Sequence, residues 1–97
     1  MVLQTAKGYP EAVLMGACEI VLFYKIADWL RQKIGITFSN KTEYAGSLNW
    51  QFQFAGALML LRYIPTAGIS LCPAALIQAT DEERGAFEKL LETLKFD

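Results

Sequence analysis

One arginine stands apart in this chain. From Tyr44 to Thr80 it is the sole charged residue, Arg62. A guanidinium in a polar surround grips a carboxylate or phosphate through two parallel N–H donors. Arg62 therefore offers an anion or acidic-ligand site. The plainer reading is a structural ion pair with Glu43, Asp28 or a subunit neighbour. Cys72 sits in Ser70-Leu71-Cys72-Pro73. An active thiolate needs a base, a metal or a helix N-terminus beside it. The chain has no histidine, and no lysine lies near Cys72 in sequence, so Cys72 reads as inert. Cys18 reads the same way.

Other constellations point away from catalysis. Glu19 and Asp28 are nine positions apart, so a helix puts them on opposite sides. Asp81, Glu82 and Glu83 cluster, but an acidic first turn is ordinary helix capping. No carboxylate pair signals general acid–base chemistry. Two cysteines without histidine cannot build a structural zinc site in one chain. The glycines are scattered, with neither standard phosphate-loop spacing. Trp50, Phe52 and Phe54 alternate as base-stacking aromatics do, but the residues between them are Asn and Gln, not Lys or Arg. No cofactor, metal or nucleic acid is expected.

Composition sets the frame. The chain has 97 residues, 54% of them hydrophobic, and a net charge of −1. One domain spanning residues 1–97 is expected, and a disordered segment is excluded. The near-zero charge removes the global basic field of a nucleic-acid binder. The window from Ala12 to Leu30 holds Glu19, Lys25 and Asp28, too many charges for a membrane span. The expected compartment is the cytoplasm.

The elements follow from periodicity. Residues 1–9 carry no period and read as a tail or lead-in. Val13, Gly16, Ile20, Phe23, Ala27, Leu30 and Ile34 recur at three- and four-residue spacing, which predicts an amphipathic helix over 11–34, stopped by Gly35. Ile36-Thr37-Phe38 is compatible with a short strand, and 39–46 reads as a loop. Leu48, Trp50, Phe52 and Phe54 alternate with Asn49, Gln51 and Gln53, the period of a half-buried strand. A turn at Ala55-Gly56 would lead into a second strand over 57–64. Counting from that turn pairs Asn49 with Arg62, Gln51 with Leu60 and Gln53 with Leu58. Ile69 to Cys72 gives a third strand, and 74–79 is ambiguous. Thr80-Asp81-Glu82-Glu83 is a capping box that opens a helix over 81–95. The predicted class is α+β: an N-terminal amphipathic helix, a three- to four-stranded antiparallel meander and a C-terminal helix. Both helices are expected on one face of the sheet.

At the average charged fraction of about 25%, the 37 residues from Tyr44 to Thr80 should hold roughly nine charges. The second strand is apolar on both sides, while two helices cover one face only. Leu58, Leu60 and Ile64 then need another cover, and a second copy of the chain is the leading expectation. The functional expectation is a small self-associating binding module for a protein partner or a small ligand at a subunit groove. Arg62, Asn49, Gln51 and Gln53 are its candidate contacts, and Leu58, Leu60 and Ile64 its interface. The alternatives are a histidine-free enzyme with a carboxylate, Tyr or Arg site at a subunit cleft, and a peripheral membrane protein.

Overall fold

The computed structural model describes residues 2–94. Its centre is the hairpin of β4 (Ser47–Phe54) and β5 (Ala57–Ile64), which pair antiparallel. Asn49 lies opposite Arg62, Gln51 opposite Leu60 and Gln53 opposite Leu58, the register counted from the alternation. β6 (Gly68–Pro73) pairs with β5 on the other side. Beyond β4 lies β3 (Ser39–Tyr44), and beyond β6 lie β2 (Glu11–Met15) and β1 (Val2–Gln4). The order across the sheet is β1-β2-β6-β5-β4-β3, antiparallel throughout.

The chain is α+β, but among the described residues the sheet has six strands rather than three or four. Three departures account for this. Residues 2–4 form β1 instead of a lead-in. The first helix, α1 (Ile20–Ile34), starts at residue 20, and residues 11–15 are a strand. Glu11-Ala12-Val13-Leu14-Met15 is rich in helix formers, and its pairing between β1 and β6 overrides that preference. The segment 39–46 is β3 and its turn rather than a loop. All six residues of β3 are exposed, so it carries no apolar alternation to read. Its lysine and its register shift between Ser39 and Thr42 suit an edge that must resist pairing with other chains. Residues 74–79 hold a single 3₁₀ turn, Leu76–Gln78, and no strand.

Four antiparallel steps separate β2 from β3, so the two run in the same direction. A hairpin cannot join such strands, and α1 is the crossover between them. It ends at Gly35, whose left-handed φ of 67° lets its N–H reach the Arg31 carbonyl. The second helix, α2 (Asp81–Thr93), opens with a complete capping box. Thr80 Oγ1 accepts from the Glu83 amide at 3.1 Å, and Glu83 Oε1 accepts from the Thr80 amide at 2.9 Å. Residue 95, the expected end of this helix, lies outside the described residues.

One sheet face carries Phe52, Met59, Leu61, Ile69 and Leu71. Phe23, Ala27 and Leu30 of α1 pack onto it, with Phe87 and Leu90 of α2, in one buried cluster. Phe23 meets the Trp50 ring edge-on, with centroids 4.9 Å apart. The Lys41 ammonium lies 4.3 Å over the same indole, a cation–π contact that covers its outer side. The Tyr63 hydroxyl donates to the Cys18 carbonyl at 2.7 Å and ties the lead into α1 to the sheet.

Both tight hairpins turn on Ala-Gly. Ala45 and Gly46 have φ of 50° and 82°, and Ala55 and Gly56 have φ of 53° and 78°. A two-residue hairpin needs positive φ at both positions, where asparagine is far better tolerated than alanine. Ala45→Asn and Ala55→Asn should each stabilise the protein by about 0.5–1 kcal/mol. Urea midpoints of the two variants would show this. A lower midpoint for both would refute the turn assignment.

Candidate functional site

The sheet face opposite the helices is the one on which the sequence placed its candidate residues. Arg62 leaves β5 on this face, but it turns away from Asn49 toward β6 and β2. Its Nη1 donates to the Tyr9 hydroxyl at 3.3 Å and lies 3.8 Å from Glu11 Oε2. Glu11 is therefore the carboxylate partner. Asp28 pairs with Arg31 on α1, and Glu43 is exposed on the edge strand. The Glu11 carboxylate also accepts from Ser70 Oγ at 3.3 Å and from Lys7 Nζ at 3.4 Å. Glu11 and Ser70 are buried, 6% and 8% exposed.

The chain positions this cluster by pairing. Glu11 on β2 and Ser70 on β6 share the outer face because Ala12 lies opposite Leu71 and Val13 opposite Ser70. Ser70 in turn lies opposite Arg62. Three neighbouring strands thus bring an acid, a hydroxyl and a base together from distant parts of the sequence.

The chain itself supplies part of the cover that the apolar outer face requires. Tyr9 lies on Leu60 and Cys72, with Ala74 and Leu76 packed against them. Arg84, from α2, holds both covering segments. Its Nη2 donates to the Gly8 and Ile77 carbonyls at 3.1 Å, and its Nε to the Ala79 carbonyl at 3.0 Å. Leu76 is held at a φ of 56°, an unusual conformation for a leucine, to close this cover. Leu58 and Ile64 stay half-buried beside it.

The amide row is a separate group. Gln51 Oε1 accepts from Asn40 Nδ2 at 2.8 Å, across the register shift of β3. Asn49 is half-buried and Gln53 exposed. The structure therefore gathers Arg62 with Tyr9, Glu11, Ser70 and Lys7 rather than with Asn49, Gln51 and Gln53. Glu11 escapes the sequence reading because its neighbours continue the spacing of the α1 stripe. No alternation marks it: in residues 11–15 Glu11 is followed by four apolar residues.

Burial works against the Arg62 charge, but the Tyr9 hydroxyl and the Cys72 thiol beside it prevail, and its pKa is raised. Burial pushes the Cys72 thiol up to about 11, against the pull of Arg62. That is the opposite of an activated nucleophile. It also ties stability to pH. The ordinary thiol value is 9.0, so between pH 9 and 11 the unfolded chain gives up this proton while the folded chain keeps it. Stability is intact below pH 9 and falls as pH rises through this window, by about 2–3 kcal/mol in all. Urea titrations at pH 8 and pH 11 should show a steeper alkaline loss for the native chain than for Cys72→Ala. Equal losses would contradict the buried thiol.

A cavity of about 190 Å³ opens at the end of the cluster. Gln4, Lys7, Glu11 and Ser70 form its polar wall, and Val13, Ile64, Ala67 and Gly68 its apolar wall. Among the described residues, no helix is long and apolar enough to cross a membrane. Comparison with protein-family models, curated proteins and solved structures finds no match.

Proposed function

We propose that this chain is a binding module that takes a small polar ligand on the outer face of its sheet, at the Glu11–Arg62 cluster. The observation that carries this reading is a buried carboxylate set in the wall of a solvent-reaching cavity, with lysine, serine and glutamine around it. Concave sites with a few convergent polar groups on an apolar wall are the usual form of small-ligand sites. Arg62 contributes from behind, by holding Glu11, and not from the cavity wall. The test is an amide NMR screen of the labelled protein against a library of small polar molecules. Shifts gathered at Lys7, Glu11, Gly68 and Ser70 support the reading. Saturable binding that moves only other amides refutes it.

A second reading is self-association, and one observation favours it. Ile20, Val21 and Tyr24 are exposed at 39%, 48% and 45%. Their spacing puts them in one strip on α1. Such a strip is a natural contact for a second copy. Leu58 and Ile64 remain available on the outer face, whereas Leu60 is already covered by Tyr9. Light scattering on a sizing column at several concentrations tests this reading, and a monomer throughout refutes it.

A further inference from the structure

Resting on the small-ligand reading above, we infer that the cavity takes a zwitterionic α-amino acid with a short aliphatic side chain. The argument starts from Glu11. An ionised carboxylate offers about four acceptor positions. Its nearest donors stand at 3.3 Å (Ser70) and 3.4 Å (Lys7), with Arg62 at 3.8 Å. Charge-assisted hydrogen bonds close to about 2.7–2.9 Å. The carboxylate is buried, loosely held and turned to the cavity, so it has acceptor capacity for an incoming ammonium.

Lys7 decides the other end. It lies four residues before Glu11, and its side chain is 56% exposed. It is free to swing from Glu11 to a ligand carboxylate, which the Gln4 amide can also meet from the same wall. A ligand with one charge would leave either Lys7 to solvent or Glu11 with Arg62, 3.8 Å away, as its sole cation. A zwitterion inserted between them leaves both paired. Arg62 stays on Glu11 Oε2 from behind. Val13, Ile64 and Ala67 face the remaining space, and Gly68 contributes no side chain, so a short aliphatic group fits there. The cavity of about 190 Å³ suits a small ligand.

The experiment titrates the full chain with L-valine, isobutylamine and isovalerate, followed by amide NMR. The two analogues each lack one of valine's charged groups. L-valine should shift Lys7, Gly68 and Ser70 saturably, and each analogue should bind at least about tenfold more weakly, the worth of one charged hydrogen bond. Lys7→Met should weaken L-valine by about tenfold but should not weaken isobutylamine, because the lysine it removes competes with an amine for Glu11. Lys7 is at the surface, so this variant should fold. Glu11→Gln, where it folds, should weaken both amines. Equal binding of L-valine and either analogue overturns the zwitterion assignment. So does the absence of a saturable L-valine shift. An analogue that alone binds at these amides overturns the assignment while the outer-face reading stands. If no probe moves these amides and library molecules bind elsewhere, both fall.

Discussion

Gly68→Ala should remove about 4 kcal/mol or more of stability, in the upper tail of what single substitutions cost. Two independent penalties combine at this position. Gly68 has a φ of 103°, a region that residues with a Cβ rarely occupy. A Cβ built there would lie 2.0 Å from the Met15 carbonyl oxygen and 2.4 Å from the Gly16 carbonyl carbon. Both obstacles are backbone, so no side chain can rotate aside. The clash falls where β2 leaves β6, just past the register shift between Val13 and Met15. Relief requires β2 to move off β6, and Glu11 goes with it. A domain of this size has about 5–15 kcal/mol in all, so roughly a quarter of its margin or more is at stake. Gly16→Ala is the control: nothing lies within 4 Å of its Cβ, and the cost should stay under about 0.5 kcal/mol. Urea unfolding of the two variants makes the comparison. A Gly68→Ala midpoint within 1 kcal/mol of the native value, ~1 kcal/mol being the ordinary effect of a substitution, would reject the close approach.

Arg62→Met should cost about 2–3 kcal/mol, because Glu11 loses its permanent cation while staying buried. The full cost of breaking a buried pair is ~3–5 kcal/mol. The lower figure applies here because the Arg62 side chain is 22% exposed and Lys7 also reaches Glu11. Glu11→Gln should cost a similar amount, since it leaves a half-buried guanidinium facing an amide. The double variant should cost less than the two singles combined, with a coupling of about 1–2 kcal/mol. The coupling should persist at 1 M salt, where the Debye length is ~3 Å, because partly buried pairs are poorly screened. Strict additivity would mean that the 3.8 Å approach carries no interaction. Guanidinium chloride cannot serve for this measurement, since it is itself a salt. Urea can.

The two strongest local signals in the sequence survive in the structure. Strict alternation from Leu48 to Phe54, followed by Ala55-Gly56, fixes a hairpin whose register could be counted. The Thr80–Glu83 capping box fixes the start of α2. Both signals are local, and local chemistry is what a sequence displays. The losses are equally specific. β3 is polar on both sides because it is an edge, so nothing distinguishes it from a loop. β2 is made of helix formers, and its spacing happens to run into that of α1. The sole charge of the apolar stretch was legible as a site residue. Its partner was not, because the Glu11–Arg62 pair depends on β2 lying against β6 and β6 against β5. The apolar outer face was legible too, whereas its cover by Tyr9 and Leu76 required the third dimension.

The strand order also dictates a sequence of assembly. β3, β4, β5 and β6 are joined by consecutive short turns, so each can pair with its predecessor as soon as it is made. β2 is different: it waits for β6, and Glu11 meets Ser70 across 59 positions of chain. Closing so long a loop is entropically costly and slow relative to hairpin formation. On a ribosome, β1 and β2 emerge before β6 and are therefore among the last of these strands to dock. The cavity is completed by that docking. A ligand held there would act as a latch on the final step of folding, favouring only the chains that have already finished it.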